Sequence, residues 1–433
     1  MKPIRLMTLA PGHFHAALVQ KRMVPGITPR NYVYAPLDAD TVAYLDRLAA
    51  FNTRAENPTA WEVDLRASEG WLDRFEREQP GNVVFLSGRN SPKIDLMRLA
   101  VRNNLHVIAD KPWVIEYTDF PKVEELYRET DLRDVLVCDV MTERHEVTNQ
   151  LVREFVRDGY IFGKWQSGTA SQPALTLESR HFLRKTVAGR PFVRPWWWFD
   201  PAIAGESLAD VGTHLADLAL WFVSPDRMIN YRSDVHHLAA EAWPLLLSED
   251  EFCVLTALPR YPEALASRVV NEQLYYAGNN SVTLALAGVH VKLATTWEFE
   301  APAGGADTHM VTALGTHSRI EVRHDPTGAP EVYLAATNPA DHPELFKRLA
   351  SRCELMRGRL PGISATDRGT EIKVEIPDAL RTTHEDHFAT VMDEFVRYFH
   401  NPRAVPAWER PNTLGKYYIT TKAIEMARNK PPA

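Results

Sequence analysis

Ile4-Arg-Leu-Met-Thr-Leu-Ala-Pro-Gly-His-Phe-His15 is the stretch that decides the fold. Its apolar run stops at Ala10-Pro11-Gly12, and the chain turns helical from about His15. A short strand that ends in a glycine turn and feeds a helix opens a parallel, doubly wound sheet. Further apolar, β-branched runs follow at 31–35, 82–86, 105–109 and 135–138. Helical spacing separates them, at 40–51 with Val42, Leu45, Leu48 and Ala49 on one side, and from Ser91-Pro92 to Val101. Sheets of this kind bind ligands beyond the carboxyl ends of their strands.

The pattern changes after a helix expected at 146–158. Segments 282–286, 289–296, 308–314 and 319–322 alternate as antiparallel strands do, which predicts a second, α+β domain on a large, mostly antiparallel sheet. Residues 338–370, rich in Arg, Pro and Gly, read as an irregular exposed excursion. Helices at 384–399 and 413–428, joined by a Pro-bearing loop at 401–411, close the chain. The expected division is 1–145, 146–383 and 384–433.

The 433 residues suffice for two or three cores, and 45% hydrophobic with 24% charged residues is an ordinary globular balance. A net charge of −7 without a basic block argues against nucleic acid or an anionic membrane as partner. No window is apolar enough for a membrane span. Cys138, Cys253 and Cys353 are scattered and odd in number, so they predict reduced structural thiols and a cytoplasmic location. The start of the chain carries no signal-peptide pattern.

Four places hold residues suited to chemistry. At the first turn Pro11, Gly12, His13 and Phe14 stand where a GxGxxG fingerprint would lie, with only the middle glycine kept and His15 in place of the third. Asp38, after the second strand, is a candidate for an adenosine ribose or a solvated turn residue. No Arg follows that strand closely, which favours NAD over NADP. At the end of the fourth strand Asp110-Lys111-Pro112-Trp113 puts an ammonium where it can steady developing negative charge. Ala209-Asp-Val-Gly-Thr-His-Leu-Ala-Asp217 places Asp210 and His214 four apart, on one face if the segment is a single helix. A His beside a carboxylate can move a proton near neutral pH.

These motifs, in order, resemble the glucose–fructose oxidoreductase/inositol dehydrogenase (Gfo/Idh/MocA) family. Asp110-Lys111-Pro112 is similar to its Glu-Lys-Pro, Asp210-Val-Gly-Thr-His214 to its Asp-x-x-x-His, and Ser87-Gly88-Arg89-Asn90 to its Thr-x-Asn loop. Pro11-Gly-His-Phe-His15 and the segment 297–309 resemble a divergent branch of putative oxidoreductases. The resemblance implies a Rossmann-like dinucleotide-binding domain, NAD as cofactor, and hydride transfer at a secondary hydroxyl of a sugar, glycoside or cyclitol. It implies His214 as general base or acid, Asp210 orienting it and Lys111 on the reacting oxygen, with Ser87, Asn90 and Asp110 near the cofactor. It also implies a homodimer or homotetramer.

Arg144, His145, His181, Trp198, Asp307 and His309 are further candidates for sugar contacts. No ligand spacing such as HExxH points to a metal. Two other activities fit the same residues: glycoside cleavage through transient oxidation and elimination, and a non-catalytic sugar or nucleotide sensor.

Overall fold

A computed structural model describes residues 3–429 apart from 188–189, 226, 303–304 and 326–327. The chain divides into two compact units, 1–142 with 202–204 and 383–409, and 143–201 with 205–382 and 410–433. The closing segment therefore divides between the units instead of standing as a piece of its own. No helix among the described residues is long and apolar enough to cross a membrane. All three cysteines are free thiols.

The first unit is built on six parallel strands in the order β3-β2-β1-β4-β5-β6. They are β1 (Leu6–Leu9), β2 (Arg30–Ala35), β3 (Glu62–Ala67), β4 (Val83–Leu86), β5 (His106–Asp110) and β6 (Val137–Val140). Every residue of β1 and β4 is buried, as expected of central strands covered on both faces. The connecting helices are α1 (His15–Leu18), α2 (Ala39–Thr53), α3 (Trp71–Glu78), α4 (Lys93–Arg102) and α5 (Phe120–Arg133). Strand β3 has no counterpart in the sequence reading. It lies at the sheet edge, and its Glu62, Asp64 and Arg66 break the apolar run that marks the inner strands. The helix His384–His400 completes this unit: Phe388, Val391, Met392 and Phe395 enter the same core as Ile4, Leu6 and Val83.

The second unit carries a ten-stranded sheet. Its strands are β7 (Leu175–Arg184), β8 (Val235–Ser248), β9 (Gln273–Leu286), β10 (Val289–Glu300), β11 (Thr308–Leu314), β12 (Ser318–His324), β13 (Pro330–Ala336), β14 (Ser364–Asp367) and β15 (Ile372–Glu375), with Val269–Val270 pairing on β9. The order β8-β9-β10-β7-β11-β12-β13-β15-β14 is antiparallel throughout except between β10 and β7. Residues 338–370 are not an irregular excursion. Pro343 opens a helix, His342–Met356, whose Leu345, Leu349, Cys353 and Met356 are buried at helical spacing, and β14 follows. Helix α6 (Val147–Val156) and the pair α7 (Ser207–Asp210) and α8 (Gly212–Val223) belong to this unit, as does Glu409–Arg428.

Candidate active site

In the first unit the strand order reverses between β1 and β4, so the crevice for a ligand opens at Leu9 and Leu86. Ala10 turns the chain there with φ of 41°. A Cβ on Gly88 would lie 2.2 Å from the Ala10 carbonyl oxygen, and one on Gly12 would meet Asp40 Oδ2 at 3.2 Å. The two strand-end loops thus approach closely where side chains are missing. The N–H groups of Gly12 and His13 both donate to the Ser87 carbonyl, at 3.1 and 3.2 Å. In a glycine-fingerprint turn such amides face a pyrophosphate; here they tie loop to loop.

Beneath this junction Asp110 is 2% exposed. Its Oδ2 faces His15 Nδ1 at 3.0 Å and His13 Nδ1 at 3.4 Å, and accepts from Ser87 Oγ at 2.9 Å. Burial opposes the charge, but the imidazoles hold the carboxyl well below the usual range. Burial, aided by His13, also pushes His15 well below an ordinary imidazole. Lys93, 2% exposed, donates to the Asp110 carbonyl at 2.8 Å and to Asn90 Oδ1 at 2.6 Å. The Asn90 amide in turn donates to the Ala204 carbonyl at 2.7 Å. Lys111, 7% exposed, follows at the carboxyl end of β5. Pro11 and Phe14 flank this loop, and Phe14 packs edge-on against His15.

Several expected cofactor contacts are therefore occupied within the protein. Asp38 is the N-cap of α2, accepting from the Thr41 N–H at 3.0 Å. Asn90 braces a backbone segment, and Ser87 serves Asp110. The crevice at the strand reversal, the side-chain-free position 12 and Lys111 at a strand end still fit a nicotinamide dinucleotide; the committed loop amides are the departure. Lys93 went unnoticed because nothing local marks a lysine as buried.

In the second unit Asp210 ends α7 and α8 begins at Gly212, and Val211 between them keeps helical dihedrals, φ −72° and ψ −41°. The His214 N–H donates to the Val211 carbonyl at 3.0 Å, which starts the new helix. The absence of a side chain at Gly212 lets the turn pack tightly: a Cβ there would lie 2.5 Å from Leu208 Cδ1. Every residue of α8 is buried, His214 at 9% exposure. Asp217, the segment's other acid, is held by Arg144, which donates through Nε and Nη2 at 2.6 Å each, and by Lys416 at 3.2 Å. Burial opposes its charge, yet the two cations hold its pKa at about 2. Arg144, expected near substrate, is thus a partner of a buried scaffold acid.

The charge of Asp210 acts on Lys185, Arg194 and Tyr276. Arg194 is 5% exposed, with its guanidinium 4.3 Å from the Trp198 ring and 5.2 Å from Trp297. Burial lowers its pKa to about 10. Trp198 packs against Tyr276 and Trp297, and the Trp297 indole donates to Ser207 Oγ at 2.9 Å. His181 stacks on Trp297 at 4.8 Å, and Asp307 receives His181 Nδ1 at 2.9 Å and Lys185 Nζ at 2.5 Å. Burial opposes the Asp307 charge, and these two partners hold it far below the ordinary range. Ala303 and Gly304, shortly before Asp307 in the sequence, lie outside the described residues.

His309 donates its N–H to His324 Nε2 at 3.0 Å, and burial lowers its own pKa to about 4. The carbonyl of His145, in the turn Thr142–His145, accepts from Gln150 at 3.1 Å. Arg194 and Tyr276 were missed; Arg194 had a usable signal, since it directly precedes Pro195 and three tryptophans.

The family model described as "Putative oxidoreductase C terminal domain" matches residues 151–428. Among curated proteins none matches. A putative oxidoreductase from Parabacteroides merdae is 35% identical, with a TM-score of 0.95 over 99% of this chain and 98% of that one. Levoglucosan dehydrogenase in complex with NADH and L-sorbose shares the fold at 12% identity and a TM-score of 0.62, covering 99% and 97%. An oxidoreductase from Agrobacterium radiobacter, in complex with NAD+, L-tartaric acid and magnesium, does so at 11% and 0.60, covering 98% and 96%. The chain belongs to the family of putative oxidoreductases that carry this C-terminal domain.

Proposed function

We propose that this protein is an NAD(H)-dependent oxidoreductase acting on a secondary hydroxyl, or the matching ketone, of a sugar, glycoside or cyclitol. The observation that carries the reading is the setting of Asp210 and His214: a half-buried carboxylate that acts on Lys185, Arg194 and Tyr276 beside a tryptophan-lined wall, with a buried imidazole four residues on. Tryptophan faces and fixed polar groups suit a polyhydroxylated ring. The NADH and sorbose complex of levoglucosan dehydrogenase, on the same fold, supports both cofactor and substrate class.

Bound NAD would accept the hydride; Lys111, Gly12 and the β1 turn are the residues that would hold it. In oxidation His214 takes the hydroxyl proton, and in reduction it returns it. Asp210 favours the protonated imidazole and fixes its orientation. The Lys111 ammonium steadies negative charge building on the reacting oxygen. The homodimer or homotetramer is proposed to form through the large sheet, where Leu238, Trp243 and Leu246 of β8 are exposed; a monomer in light scattering would remove that part.

His214→Ala should lower the single-turnover rate by roughly 10²–10⁴-fold while leaving NAD affinity nearly unchanged. Stopped-flow detection of NADH beside a fluorescence titration with NAD measures both. Undiminished turnover would take the proton-handling role from His214.

A further inference from the structure

We propose that His13, His15 and Asp110 form a binding site for a first-row divalent transition-metal ion, at the junction of the β1 and β5 strand ends. This inference is independent of the dehydrogenase reading. The three groups offer two imidazole nitrogens and a carboxylate, and their ligand atoms all lie within 4.8 Å of one another. Two imidazoles and one carboxylate leave further positions open on such an ion. With metal–ligand bonds near 2.0–2.2 Å, ligand atoms in a tetrahedral site sit about 3.3 Å apart. The separations from Asp110 Oδ2, 3.0 Å to His15 and 3.4 Å to His13, bracket that value.

The hydrogen bonding of Asp110 is lopsided in a way that a bound cation would resolve. Oδ2 faces both imidazoles and the Ser87 hydroxyl, whereas Oδ1 is fully buried with no hydrogen-bond partner among the described residues. A buried carboxylate oxygen without a donor is destabilising, and a metal ion held by both carboxylate oxygens removes that cost. The surroundings also hold the ligands as such sites require. Ser87 Oγ donates to the carboxylate at 2.9 Å and so helps to fix its orientation. Phe14 and Phe388 lie 4.3 and 4.6 Å from the His15 ring. The His13 side chain is 18% exposed, so water can reach the remaining coordination positions. Sequence spacing gave no hint, because Asp110 is 95 residues from His15.

The test is a Co2+ titration of the full chain, stripped with chelator and followed by visible d–d absorption. One equivalent of Co2+ should bind and develop the bands, and Zn2+ should quench them. His13→Ala, at the most exposed ligand, should keep the wild-type circular dichroism and weaken Co2+ binding at least about 100-fold; Ser87→Ala should weaken it roughly 10–100-fold. A wild-type protein that takes up no more Co2+ than His13→Ala overturns the proposal, as does uptake unchanged in both His13→Ala and Asp110→Asn. A parallel NAD titration separates the two readings. NAD binding without a cobalt site overturns the metal proposal alone, and a cobalt site without NAD binding supports it while removing the dehydrogenase reading.

Discussion

Asp110 and Asp217 are both aspartates at 2% exposure or less, each ringed by hydrogen-bond donors, and they contrast in the kind of donor. Asp217 faces a guanidinium and an ammonium, which donate to it as cations and have no lone pair with which to ligate. Asp110 faces two imidazoles and a hydroxyl, which can lose or share protons and can ligate. The first arrangement locks helices together, since Arg144 precedes α6, Asp217 lies in α8 and Lys416 belongs to Glu409–Arg428. The second keeps its chemistry adjustable at the ligand end of a parallel sheet. Burial alone does not tell a scaffold acid from a working one; the partners do.

The largest expected effect tests the scaffold side. Asp217→Asn leaves two buried cations without a counter-charge and should cost about 3–5 kcal/mol in urea denaturation. Asp110→Asn loses hydrogen bonds to a charged acceptor, but its imidazole partners can go neutral, so about 1.5–3 kcal/mol is expected. Equal losses at the two positions would erase the contrast. Acid provides the next measurement. The Asp217 pKa is lowered from 3.8 to about 2, so its contribution is complete above pH 4 and lost as pH falls through 2. The stability gap between wild type and Asp217→Asn should therefore shrink by roughly 2 kcal/mol across that interval. A gap independent of pH would mean that Arg144 and Lys416 do not hold the carboxylate. The smallest effect concerns Asp38. As an N-cap its replacement by Ala should cost about 1 kcal/mol and leave NAD affinity unchanged. A weakened NAD titration would return it to the ribose.

The inner parallel strands were legible because burial on both faces forces continuous apolar runs, as in Val83–Leu86. Strand β3 was not, because an edge strand alternates Glu62, Asp64 and Arg66 with apolar residues. The helix His342–Met356 was hidden by composition: its arginines and Pro343 outweighed the periodic Leu345, Leu349 and Cys353. At the candidate site the motifs gave residue identities but not their company. Asp307 meets His181 across 126 positions, and Asp217 meets Lys416 across 199, distances over which no local pattern operates.

A helix buried on all sides, as α8 is, has no solvent-facing edge from which to fray. The amide hydrogens of its later turns should exchange with solvent only when the second unit opens as a whole. Their exchange rates would thus report that unit's own unfolding free energy without denaturant. A sugar that binds beside Asp210 would register there as slower exchange along the entire helix, well beyond the residues it touches.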